Sequence, residues 1–198
     1  MLVYIFWHWP RPDVALDMYE ERQRVFHQAL AAQAPAGLMA SRVWRVTGAP
    51  WAGVVGAYED WYSLADSAAL DTLNAAAVSA ALREAHDAAA SLAAGGVAAL
   101  YTPVGPRQGQ AAVSHGAVAQ WFAKPEGMRY GELYQRLAPR LPRLWQRMMT
   151  LGPSPEFLLL DANLAALPTD WRPLVTRRES VWPPEEEIEE TSKETPTP

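Results

Sequence analysis

The chain has 198 residues, 49% hydrophobic and 20% charged, with 9 Trp, 7 Tyr, 4 Phe and no Cys. This composition excludes a wholly disordered chain, a collagen-like repeat and a disulfide scaffold. No apolar run approaches the ~18 residues of a membrane span, and no basic leader segment opens the chain, so a cytoplasmic protein is expected. The net charge of −5 resides in residues 183–198, which hold six Glu and one Lys; the body is neutral, which argues against a general nucleic-acid binder.

Residues 3–9 are almost all aromatic or β-branched on both alternating faces and predict a strand covered on both sides. Pro10-Arg11-Pro12 ends it, and Asp13 caps a predicted helix over 14–32, where Glu20 and Arg24 stand at i, i+4. Strands follow over 38–46 and 53–59. Ser63 and Asp66 form an acidic capping box for helical sequence up to 94 that restarts at Ser79. Gly95-Gly96 stops that helix before a strand over 97–102.

A Gly-containing linker then leads to a strand over 117–123. A helix is predicted over 130–150, because Tyr130, Tyr134, Leu137, Leu141, Leu144 and Met148 are spaced 4, 3, 4, 3, 4. Pro139 and Pro142 should kink it. Strands are expected over 157–161 and 174–182, with a short turn at 164–167. The second half thus repeats the element order of the first in shortened form. The Glu-, Pro- and Thr-rich tail is expected to be disordered.

Three stretches resemble a known family. They are Phe26-His27-Gln28-Ala29-Leu30 near the end of the first helix, Ala57-Tyr58-Glu59-Asp60-Trp61-Tyr62-Ser63-Leu64, and the Ala-rich helix leading into Val97-Ala98-Ala99-Leu100-Tyr101. Together they resemble the dimeric α+β barrel superfamily, built of ferredoxin-like modules, and within it EthD-like proteins. The likeness covers about residues 2–104. It implies an α+β fold in which two fused ferredoxin-like modules, 1–104 and 117–182, form a pseudo-dimeric barrel, joined by a linker at 105–116 and followed by an acidic tail at 183–198.

Chemistry-bearing residues are sparse. The four His (8, 27, 86, 115) have no metal-ligand spacing, and no phosphate loop or nucleophile elbow is present, so neither a metal nor a cofactor is expected. His86 is the best-placed axial ligand were haem bound; a surface His is the plain alternative. Glu59 and Asp60 read as solvated neighbours. On a helical wheel Arg22 falls at the centre of the apolar face, where it either pairs structurally or anchors an anion or carbonyl. His27 lies at the edge of that face; the family resemblance makes it a proton-transfer candidate beside Arg22, and a solvent-facing His is the alternative.

Tyr4, Phe6, His8, Trp44, Tyr58, Tyr101 and Trp121 lie on predicted strands, where they either line a cavity for a flat ligand or fill the core. Arg136, Arg140, Arg143 and Arg147 form a basic ridge, read as a solvated face or as a docking site for the acidic tail. Two functions are carried forward. One is a metal-free enzyme of EthD or monooxygenase-like type acting on a small aromatic or carbonyl-bearing compound. The other is a non-catalytic ligand-binding or protein-interaction module. Oligomeric state stays open.

Overall fold

The computed structural model describes residues 1–54, 56–105, 118–160 and 166–183. The first half contains β1 (Leu2–Pro10), α1 (Leu16–Gln33), β2 (Leu38–Thr47), β3 (Gly56–Leu64), α2 (Ala68–Ala77), α3 (Arg83–Ala90) and β4 (Ala93–Pro103). The second half contains β5 (Val118–Phe122), α4 (Tyr130–Arg136), β6 (Leu144–Leu151), β7 (Phe157–Leu159) and β8 (Leu174–Trp182).

The eight strands close into one barrel in the order β1-β3-β2-β8-β5-β7-β6-β4, and every neighbouring pair is antiparallel. This corrects the expected α+β architecture. In place of two fused ferredoxin-like modules there is a closed, all-antiparallel β-barrel with few helices, all outside it. Hydrogen bonding runs unbroken across the seams between the halves, from β2 to β8 and from β4 to β6, so no strand edge is left open. Each half supplies four strands in matching relative order, β4-β1-β3-β2 and β8-β5-β7-β6.

Strand alternation sorts the side chains. Val3, Ile5 and Trp7 of β1 turn inward and are fully buried, together with Trp44, Trp61, Tyr101, Trp121 and Trp145. Leu2, Tyr4, Phe6 and His8 turn outward, where α1, α2 and α3 cover the barrel wall with Phe26, Leu30, Leu73, Leu82 and Ala89. Phe122, Leu133, Leu144, Phe157 and Trp171 form a separate cluster on the far wall. β1 reads as apolar on both faces because each face has a cover.

Two local expectations fail for identifiable reasons. The predicted helix over 130–150 stops at Arg136; Pro139 and Pro142 fall in a 3-10 stretch at Ala138–Arg143, and Leu144 onward is β6. A 4-3 stripe of apolar residues across two prolines does not outweigh a strand that closes the barrel. Nor does Gly95-Gly96 stop a helix. Both glycines lie within β4, opposite Trp9 and His8. A Cβ on Gly96 would fall 2.4 Å from the Phe6 ring and 2.9 Å from the Trp7 carbonyl oxygen, so only glycine leaves room for Phe6 to lie flat across β4. Gly96→Ala is expected to destabilise the fold by about 1–3 kcal/mol through overpacking, measurable as a lower urea midpoint at unchanged slope. An unchanged midpoint would mean that the Phe6 ring moves aside freely.

Candidate functional site

β1 and β3 pair directly, with Phe6 opposite Asp60 and His8 opposite Tyr58. Phe6, His8, Tyr58, Asp60 and Tyr62 therefore share the outer face of the barrel. α1 lies over that face and presents Tyr19, Gln23, Phe26, His27 and Leu30 to it. Positions 19, 23, 26, 27 and 30 are spaced 4, 3, 1, 3, a helix face in register with the wall below.

The polar members form one network. Asp60 Oδ1 lies 3.0 Å from His8 Nε2, and Asp60 Oδ2 accepts from the Tyr62 hydroxyl at 3.0 Å. His27 Nε2 approaches the same Oδ2 at 3.4 Å. His8 Nδ1 lies 2.5 Å from the Tyr19 hydroxyl. With Asp60 ionised, His8 Nε2 must donate to it, which leaves Nδ1 to accept from Tyr19. The chain of contacts thus runs from the carboxylate through an imidazole to a phenol. His27 Nδ1 is buried and has no hydrogen-bond partner among the described residues. A proton on Nε2 serves Asp60, and Nδ1 then faces the core as an unpartnered acceptor.

Burial alone would raise the Asp60 carboxyl, but His8 and His27 on either side reverse this and hold it well below the usual carboxylate range. Burial and the Asp60 charge push the Tyr19 phenol well above its ordinary 10.0, while a side-chain hydrogen bond with Gln23 pulls the other way. Tyr62 is raised by the same two causes, burial first. At neutral pH the resting network is one carboxylate holding two phenols in their protonated form.

The network forms one wall of a half-enclosed cavity of about 200 Å³ between the barrel and α1–α3. Tyr4, Phe6, Tyr19, Phe26 and Tyr62 supply its aromatic surface, and Leu73 with alanines of α2, α3 and β4 supplies the rest. Gln23, Asn74 and His86 add polar groups from the helices. Among the described residues no Lys or Arg lines it.

The other anticipated residues are scattered. Tyr58 is buried behind the cavity, stacked on His8 at 5.7 Å, with its hydroxyl donating to Glu20 at 3.0 Å. Trp44, Tyr101 and Trp121 point into the barrel interior, which is packed. Arg22 is exposed, a correction to its expected burial, because Val14 and Ala15 precede the helix while Met18 and Val25 face solvent. The buried face centres on Gln23 instead. His86 lies 2.9 Å from Asp87 Oδ1 at the cavity's helical side.

The arginine ridge is not one helix face. Arg136 ends α4 and pairs with Glu132 at 2.7 Å, Arg140 and Arg143 lie in the 3-10 stretch, and Arg147 is in β6, bonded to the Ser154 carbonyl. The tail expected to dock there lies outside the described residues, as do most of the linker and the turn at 164–165. Among the described residues no cluster of His, Asp or Glu could hold a metal ion, and no helix is long and apolar enough to cross a membrane.

Asp60 and Tyr19 were missed in the sequence, and so was a second buried carboxylate, Glu59, which points the opposite way into the barrel. Glu59 Oε1 lies 2.6 Å from Arg178 Nη2, and both side chains are wholly inaccessible. Trp7 and Trp61 donate indole N–H groups to Glu59 at 2.7 and 2.5 Å. The Arg178 guanidinium carbon lies 4.7 Å from the Trp61 ring and 5.2 Å from that of Trp44. This pair holds the core and has no access to a ligand. A wider cleft, about 870 Å³, opens elsewhere beside Trp51, Trp171 and Arg172, but its Lys124 is tied to the Met128 carbonyl at 2.6 Å.

No protein-family model and no curated protein matches the chain. With the closed all-antiparallel barrel, this overturns the EthD-like resemblance and the dimeric α+β barrel assignment, so any function has to rest on the residues of the cavity.

Proposed function

We propose that the cavity under α1–α3 binds a small, mostly apolar molecule and that Asp60, His8 and Tyr19 move a proton on it. The observation that carries this reading is the run of hydrogen bonds, 3.0 and then 2.5 Å, from a buried carboxylate to the hydroxyl of Tyr19, a residue packed in the wall of an apolar cavity. A bound C–H acid next to a carbonyl loses its proton to the Tyr19 oxygen as the Tyr19 proton passes to His8 Nδ1. The imidazolium so formed lies against Asp60, and the Gln23 side chain supports charge on the phenol oxygen. Return of the two protons along the same path completes an exchange or an isomerisation.

The test is hydrogen–deuterium exchange at the methylene of phenylacetone in D2O, followed by proton NMR. Wild-type protein is expected to catalyse the exchange, and Tyr19→Phe to slow it by about 10²–10⁴-fold while still binding the ketone. A wild-type protein that binds phenylacetone without exchanging it favours the second reading, a ligand-binding protein without catalysis. That reading has its own support, since Asp60 already has three donors within the fold.

A further inference from the structure

We infer that the ligand of this cavity is an uncharged compound with a single ring that carries a hydroxyl or carbonyl group. The inference rests on the cavity being a binding site and names what it selects. Three properties of the walls lead to it.

Size comes first. A cavity of ~150 Å³ lined by apolar side chains holds benzene. The present cavity, about 200 Å³, therefore takes one ring and about two or three further heavy atoms, and its open side accepts one more methyl group. The second property is charge. Among the described residues no Lys or Arg lines the cavity, so a carboxylate or phosphate on the ligand would be desolvated without a partner there. Three of the about four lone-pair sites of the Asp60 carboxylate already face His8, Tyr62 and His27, so an ammonium finds little of that carboxylate free.

The third property is where the polar groups lie. The side-chain amides of Gln23 and Asn74 belong to the lining. On the helical side, the contact with Asp87 places the proton of His86 on Nδ1 and leaves Nε2 as an acceptor. Between these groups the surface is ring faces and methyl groups. A ligand hydroxyl donates to His86 Nε2, a ligand carbonyl accepts from the side-chain amide of Gln23 or Asn74, and the ring is covered in between.

The experiment measures binding of five probes by titration calorimetry, namely benzyl alcohol, phenylacetone, benzoate, benzylammonium and 2-naphthol. Benzyl alcohol and phenylacetone should bind at least tenfold more tightly than the two ions and than 2-naphthol. Ala77→Trp, which places an indole in the cavity, should abolish that binding while its circular dichroism stays native. An ion or 2-naphthol binding as tightly as the neutral single rings overturns the inference. So does binding that survives Ala77→Trp in a folded protein. Selective binding without methylene exchange of phenylacetone leaves this inference standing and overturns the acid–base chemistry alone.

Discussion

Arg178→Met is expected to lower the stability of the barrel by about 3–5 kcal/mol, the largest single effect in the molecule. The arginine is the counter-charge of Glu59, and neither side chain reaches solvent. None of its three nitrogens makes a well-aligned hydrogen bond among the described residues, so its stabilisation comes from the ion pair with the carboxylate and from the tryptophan faces. Burial lowers the Arg178 pKa and Glu59 opposes this, which marks a charge held by one partner. Methionine fills much of the same volume but leaves Glu59 with two indole donors and no cation. The double variant Glu59→Gln, Arg178→Met should recover most of the loss, because a neutral amide accepts from Trp7 and Trp61. Denaturant titration of both variants decides the matter. Equal losses in the two would show that shape, rather than charge, accounts for the effect.

Asp60→Asn is expected to remove about 1.5–3 kcal/mol at neutral pH, and the loss should depend on pH. The folded carboxyl titrates below its ordinary value of 3.8 because His8 and His27 outweigh burial. A lowered pKa gives stability that is complete above the unfolded value and fades as pH falls below 3.8 towards the folded value. The wild type should therefore lose stability steeply on acidification below about pH 4, and the Asn variant less so. The gap between the two narrows as pH falls. Thermal melts of both proteins between pH 2.5 and 7 test this. A gap that holds constant would place the effect of Asp60 in packing and not in its charge. Methylene exchange should also fall by about 10²–10⁴-fold at neutral pH, since His8 loses the anion that holds its proton on Nε2.

Strands were legible where both faces are apolar, as at 3–9, and also where charged residues interrupt the run, as at 174–182. Residues 3–9 and 174–182 read as strands from sequence alone and are β1 and β8. Pairing across the two halves left no local trace, since β2 meets β8 over more than a hundred residues of chain. The site was half visible. His27, His8, Tyr4 and Phe6 were singled out, but Asp60 was set aside as a solvated neighbour of Glu59. Tyr58-Glu59-Asp60-Trp61-Tyr62 carried the missing signal. In a strand, neighbours point to opposite faces, and carboxylates set between aromatic residues on both faces have no route to water. Arg22 was misplaced for a related reason. Counting Val14 and Ala15, which precede α1, turned the apparent apolar face away from Gln23.

The order of the barrel also constrains how the chain is made. β8 is the last described strand and joins β2 to β5, so the cylinder cannot close until β8 has been made. At ~5–20 residues per second, the ~80 residues from the end of β4 to the end of β8 take about 4–16 s to leave a ribosome. β2 is an edge of an unfinished sheet through that interval, and β4 until β6 is made, with their backbone groups open to any extended segment nearby. Arg42, Arg45 and the half-buried Ser41 of β2 put charge and polarity on one of those edges. β4 has no such charge and ends in Pro103, which cannot donate to a foreign strand. During synthesis, then, β4 is the edge most exposed to mispairing until β6 arrives to cover it.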